Sequence, residues 1–145
     1  MATDSITNFI SATTTVLTWV SGRVNTVSGL ANACEIYESQ NEQQIFDWAH
    51  KATRNQAIVK YVRSKYNRDG NARRVMVVDV YLVYRHTTNR VAGQTAAVNL
   101  MDATIAAIDH EGSADFMAYV IADASVDFPD AGLSVYMCEF EIEDY

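Results

Sequence analysis

Few residues in this chain combine the types and spacing that chemistry demands. The run Asp109-His110-Glu111, with Asp115 close behind, gathers carboxylates and an imidazole. Zinc and calcium sites need ligands that converge from set spacings. This run matches no such template and reads as a solvated loop behind a helix. Carboxylates at a helix C-terminus oppose the macrodipole, so a compensating partner is expected there. His50, His86 and His110 lie far apart, and no Ser or Cys stands in the context of a nucleophile elbow. A catalytic triad would have to be assembled in three dimensions. Asp79, inside an otherwise apolar strand, is the most unusual carboxylate. Buried without a partner it would be costly, so an Arg or Lys from a neighbouring strand or subunit is expected to meet it. Its catalytic alternative is a general base.

Cofactor signals are missing. The six glycines are scattered, with no Gly-rich strand-to-helix turn to cradle a phosphate, so no nucleotide cofactor is expected. Cys34 and Cys138 form no CxxC pair and have no His-rich neighbourhood. Zinc is not expected, and each cysteine, set in an apolar run, reads as a reduced, buried thiol. A disulfide between them stays open at this point. No catalytic, cofactor-binding or metal residue is assigned.

The charge distribution is more informative. Residues 1–50 sum to −4, 51–90 to +8 and 91–145 to −11, giving the net charge of −7. Ten of the eleven basic residues lie between Lys51 and Arg90, and none follows Arg90. The acidic balance argues against general nucleic-acid binding. The basic stretch holds Lys51, Arg54, Lys60, Arg63, Lys65, Arg68, Arg73 and Arg74, with Tyr61 and Tyr66 interleaved. It admits three readings: a single-stranded nucleic-acid surface with stacking aromatics, a solvated hairpin face, or a surface that docks against acidic strands of a neighbour.

The elements that must position these residues follow from periodicity. At 145 residues the chain reads as one domain, 1–145, long enough to bury a core without disulfides or metal. Half its residues are apolar and Pro129 is its one proline. Its N-terminal residues lack the positive region and apolar run of a signal peptide. No apolar stretch approaches the ~20 residues of a membrane-spanning helix. A soluble protein made inside the cell, with no membrane partner, is the expectation.

Ile6, Phe9, Ile10, Thr13, Val16, Leu17, Val20, Val24 and Val27 recur at helical steps. Asp4 is the predicted N-cap and Gly29 the predicted stop. Trp19 lies off this stripe and reads as either a subunit contact or the margin of the core. A short strand, 34–37, follows. Residues 41–52 read as a short helix or ordered loop with Ile45, Phe46 and Ala49 inward. Residues 57–66 and 73–86 form a predicted hairpin around Asn67-Arg68-Asp69-Gly70-Asn71. Its second strand places Met76, Val78, Val80, Leu82 and Tyr84 on one face, and Val75, Val77, Asp79, Tyr81, Val83 and Arg85 on the other. A strand apolar on one face and half apolar on the other is central, or is covered by a partner.

A second helix is predicted over 90–109, with Val91, Ala97, Val98, Met101, Ile105 and Ile108 inward and Gly112 just past its end. Two strands close the chain, 116–128 and 133–143, split by Pro129-Asp130-Ala131-Gly132. In the last strand Tyr136, Cys138, Phe140 and Ile142 share a face, and Glu139, Glu141 and Glu143 take the other. The predicted fold is α+β: a two-layer domain with an about five-stranded, mostly antiparallel sheet and two long helices packed on one face.

This order, with the strand RRVMVVDVYLVYRHT, the helix NRVAGQTAAVNLMDATIAAI and the final strand LSVYMCEFEIED, resembles the tail terminator (tail-completion, head-tail joining) proteins of long-tailed bacteriophages. The polar 41–56 segment departs from that pattern, where a shorter connection is usual. The resemblance implies a structural virion protein, assembled in the host cytoplasm. It would form a hexameric ring that caps the tail tube and joins it to the head connector, without enzyme activity or cofactor. Its implied partners are its own copies, the tail tube protein and the connector or neck protein, with DNA passing through unbound. A closed ring needs two different patches on each subunit. On this reading Arg63, Lys65, Arg73 and Arg74 dock against a neighbour or the connector, Glu139, Glu141 and Glu143 face a neighbour or the channel, and Trp19 marks a contact. Two other readings stay open: another neck or tube component such as a head-completion protein, and a small cytosolic α+β enzyme or ligand-binding regulatory domain.

Overall fold

The computed structural model describes residues 2–30, 34–36, 44, 47–49, 51, 54–67, 73–85, 90–113, 115–126 and 132–144. The side chains of 2–12, 67, 73, 90–93 and 144 fall outside that description. The elements are α1 (Ala2–Asn25), β1 (Cys34–Ile36), β2 (Gln56–Asn67), β3 (Arg73–Arg85), α2 (Arg90–Ile108), β4 (Phe116–Val126) and β5 (Leu133–Asp144). The strands form one sheet in the order β1-β2-β3-β5-β4. Only β1 pairs in parallel, against Ala57–Val59 of β2; the other pairings are antiparallel. Both helices pack on one face. The architecture is the expected α+β domain.

The period-two pattern of β3 explains its place. Met76, Val78, Val80 and Leu82 turn toward the helices and join one core with Ala57, Val59, Cys138, Phe140 and Ile142. From α1 the core takes Val16, Leu17, Val20 and Val24, and from α2 Leu100, Met101 and Ile108. With β2 on one side and β5 on the other, β3 is central, one of the two outcomes its apolar and half-apolar faces allow.

Helix α1 begins at Ala2, so Asp4 lies within its first turn and not at the N-cap position. Its far end behaves as expected: the chain turns over 26–29, and Gly29 adopts φ 96°, a backbone region glycine enters without a Cβ penalty. Helix α2 corrects the predicted stripe. The inward residues are Ala97, Leu100, Met101, Thr104 and Ile108, while Val98 is exposed and Ile105 half-buried. The polar Thr104 disguised this face. Its hydroxyl donates to the Leu100 carbonyl at 2.8 Å, which satisfies it in full burial.

In the 41–52 segment, Gln44 and Asp47–Ala49 are helical, and Lys51 N–H donates to the Asp47 carbonyl at 3.2 Å. Ala49 is fully buried against Val83, Leu133 and Val135, with Trp48 and Val126 beside it. These partners lie on the sheet face away from the helices. Ile45, Phe46, Tyr37, His50, His86, the hairpin turn 68–72 and Pro129–Ala131 lie outside the described residues.

Candidate functional site: the charged outer face of the sheet

Opposite the helices, the sheet carries most of the residues singled out in the sequence. Cα partners in antiparallel strands share a face. Lys60, Asp79 and Glu139 are successive partners across β2, β3 and β5. Arg63, Val77 and Glu141 make the next row, and Lys65, Val75 and Glu143 the third. A β-bulge between Tyr61 and Arg63 brings this about. Lys60 and Arg63 are three positions apart and would otherwise point to opposite faces. The extra residue shifts the phase, so Lys60, Arg63 and Lys65 form one basic row. A second bulge, between Val120 and Ala122, does the same on β4, where Met117 and Tyr119 share a face with Ala122 and Ala124.

The basic row on β2 and the acidic row on β5 therefore flank β3 on one surface. They meet within the chain: Lys65 Nζ lies 2.5 Å from Glu141 Oε1. Two residues grouped with them in the sequence stand apart. Arg74 points to the helix side, where Nη2 donates to Thr13 Oγ1 at 2.6 Å and Nε to Ser64 Oγ at 2.9 Å. It ties α1 to the β2–β3 hairpin. Trp19 is half-buried and packs edge-to-face on Phe116, with ring centroids 5.2 Å apart. The backbone of Arg73 opens β3, and its side chain is outside the description.

Asp79 sits at the centre of the face, 7% exposed. The expected cation is there, since Lys60 is its register partner, but so is a second carboxyl group. Burial first, then a hydrogen bond that protonated Asp79 would donate to Glu139 and repulsion by Glu139, raise the Asp79 carboxyl from 3.8 to about 7, against the pull of Lys60 and Arg63. Its Oδ1 is buried without a hydrogen-bond partner. The sequence marked Asp79 and Glu139 separately. Their pairing depends on the register of strands far apart in the chain, which no local pattern encodes.

The Asp109–Glu111 run acts as a structural clasp. Asp109 Oδ1 accepts the Val120 N–H at 2.8 Å, and Oδ2 lies 2.9 Å from His110 Nδ1. The Val120 amide, with His110, holds the Asp109 carboxyl below its ordinary value. His110, at φ 58°, lies edge-on to Tyr119 at 5.1 Å. The expected compensating partner is Arg23 of α1, whose Nε donates to the Ala107 carbonyl at 2.7 Å and whose Nη2 lies 4.0 Å from Glu111. Gly112 bridges Met117, and a Cβ there would collide with the Phe116 carbonyl oxygen. Among the described residues, no three His, Cys, Asp or Glu side chains converge as for a metal.

Both thiols are free. Cys138 is fully buried and Cys34 only partly, and burial pushes them to about 12 and about 11. Neither is poised as a nucleophile. A shallow groove between α2 and the ends of β4 and β5 is lined by Gln94, Thr95, Val98, Asn99, Ser125 and Tyr136. Amides and hydroxyls there bring no acid–base pair together. No described helix is long and apolar enough to cross a membrane.

No protein-family model matches the chain. No curated protein matches it either. Among solved structures it is similar to a chain of the virion of a native gene transfer agent (GTA) particle. The identity is 10%, over 86% of this chain and 83% of that one, with a TM-score of 0.43.

Proposed function

We propose that the chain is a structural subunit of a phage-like virion, and that its copies form a ring of the tail-terminator kind between tail tube and head connector. The observation that carries this reading is the outer face of the sheet. It presents a basic row and an acidic row on different strands, the arrangement a heterologous contact between identical subunits uses. The element order and strand texture of the sequence support the same reading. The partners it implies are further copies, the tube protein and the connector, with DNA passing through without specific binding. An acidic surface suits such a passage because it does not hold phosphates.

The test is negative-stain imaging and mass measurement of the purified protein, alone and mixed with tube and connector proteins from the same gene neighbourhood. A closed six-membered ring is expected. Twelve copies would move the protein to the head-completion position. A monomer or dimer that ignores those partners and is stabilised by a metabolite in a thermal-shift screen would replace the virion reading with a ligand-binding domain.

A further inference from the structure

The outer edge of β4 is closed along only its first half, where the segment 109–113 lies beside it. His110 N–H donates to the Ala118 carbonyl at 2.8 Å, and Ala118 N–H to the Glu111 carbonyl at 2.9 Å. Ser113 N–H donates to the Phe116 carbonyl at 3.0 Å, and Val120 N–H to Asp109 Oδ1 at 2.8 Å. This closure stops at the bulge between Val120 and Ala122. Beyond it, Ile121 to Ser125 are exposed one after another, on both faces of the sheet. Among the described residues, no strand lies beside them on the side away from β5. Backbone groups of an antiparallel strand point alternately to its two sides. Those of Phe116, Ala118 and Val120 point away from β5, and the bulge shifts the phase, so Asp123 and Ser125 point away in turn.

This open half carries no Lys, Arg or Pro, the residues that keep foreign strands off an edge. Its charge is that of Asp123, Glu139 is the register partner of Ala122, and no cation follows Arg90 in the chain. Ile121 is 43% exposed. Such an edge fits an extended strand that brings cations and an apolar contact. Strand β2 has both. Its cover, β1, pairs with Ala57–Val59, and among the described residues no strand extends that cover. Further along β2, Arg63, Lys65 and Tyr66 are exposed, Tyr66 by 58%.

Three antiparallel pairings separate β2 from β4, so the two run in opposite directions. A copy added beside β4 in the same orientation therefore brings its β2 in antiparallel. Through β5, Ala122 to Val126 lie level with Asp79 to Val83 of β3, whereas Arg63 to Tyr66 lie level with Arg74 to Val77. Pairing the two open halves thus offsets each copy along the strand axis. A sheet that closes on itself needs a stagger of this kind.

We infer that the open half of β4, Ile121 to Ser125, is a strand-pairing site for a second copy of this chain, filled by the Arg63 to Tyr66 part of that copy's β2. The outward backbone groups of Asp123 and Ser125 pair with the incoming strand, and the Asp123 carboxylate meets its cations. The inference rests on the proposed assembly of copies and names the backbone contact through which they join.

Amide exchange of the full chain, followed by mass spectrometry beside sedimentation, tests it. In the monomer the 121–126 amides are expected to exchange fast. Assembly should slow them by at least about tenfold and change 116–120 little. Ser125→Pro removes an outward N–H without touching the β5 ladder and should hold the chain monomeric. If that variant does not fold, Asp123→Lys serves: it should weaken assembly, and Arg63→Glu added to it should restore assembly. Rings whose 121–126 amides exchange as fast as the monomer's overturn the edge contact and leave the ring reading standing. Protection of 121–126 already in the monomer, or full assembly of Ser125→Pro, also overturns it. No assembly, alone or with tube and connector proteins, removes both readings.

Discussion

Val80 and Val77 are both fully buried on the same strand, on opposite faces of the sheet. Val80 lies between Val59 and Cys138, in the core shared with α1 and α2. Val77 lies between Arg63 and Glu141 in the ladder. The same side chain is thus buried in an apolar core on one face and in a row with charged residues on the other. Burial alone does not identify a core. The inner face is closed and its polar groups are satisfied: Thr104 by Leu100, Arg74 by Thr13 and Ser64. The outer face keeps an unsatisfied Asp79 and pairs its charges across an exposed surface. A surface of that kind is suited to meeting something else.

The sharpest contrast should come from the inner side. Phe140 is the largest fully buried side chain there, and Phe140→Ala should cost about 3–5 kcal/mol in chemical denaturation. The contrast between the valines is smaller and more telling. Val80→Ala should cost about 2–3 kcal/mol, because a closed core cannot relax around the cavity. Val77→Ala should cost about 1 kcal/mol, since Arg63 and Glu141 can settle over the gap. Equal losses would mean that the outer face is packed as tightly as the inner one.

The outer face has one position where a substitution should stabilise. The native chain holds a proton on Asp79 up to about pH 7, whereas the unfolded chain releases it near 3.8. Proton binding therefore favours the native state at low pH. That contribution falls as pH rises from about 4 to 7 and is gone above it. Asp79→Asn, which needs no proton, should match the parent near pH 4 and exceed it at pH 8 by on the order of 3 kcal/mol. Denaturation midpoints at the two pH values would check this. A variant with the parent's pH dependence would place the titrating group elsewhere.

How much of this was legible in the sequence follows from the range of the interactions involved. The alternation of Met76, Val78, Val80 and Leu82 is local, and it placed β3 at the centre. Gly29 is local, and it marks the turn that follows α1, though the helix itself stops earlier, at Asn25. On α2 the local signal misled. Val98 is apolar yet faces out, whereas Leu100 and Thr104 face in, so that 97, 100, 101, 104 and 108 form the regular stripe. Thr104 qualifies only once its hydroxyl has a partner one turn back. The bulge after Tyr61 was not visible, and simple alternation could not align Lys60 with Arg63. Arg73 and Arg74 are neighbours in sequence, and Arg74 turns to the helix side, away from the basic row of Lys60, Arg63 and Lys65. The Asp79–Glu139 pair was beyond reach, because two strands separated by a helix and a third strand set its register. Charge composition pointed to β2 and β5. Only the register showed that its two signs lie side by side.

The smallest expected effect on stability is the one that bears most on function. The Lys65–Glu141 pair is partly solvated, with side chains 49% and 23% exposed. Such pairs couple by less than ~1 kcal/mol, and less again in high salt. A double-mutant cycle with Lys65→Met and Glu141→Gln should return a value in that range. The same weakness makes the two rows available, since an intramolecular pair worth so little is easily exchanged for one between copies. Arg63→Glu combined with Lys65→Glu should therefore leave the denaturation midpoint nearly unchanged while preventing the proposed ring from forming. If that variant instead loses several kcal/mol of stability, the charged rows hold the sheet together as the inner core does, and the distinction between a packing face and a docking face collapses.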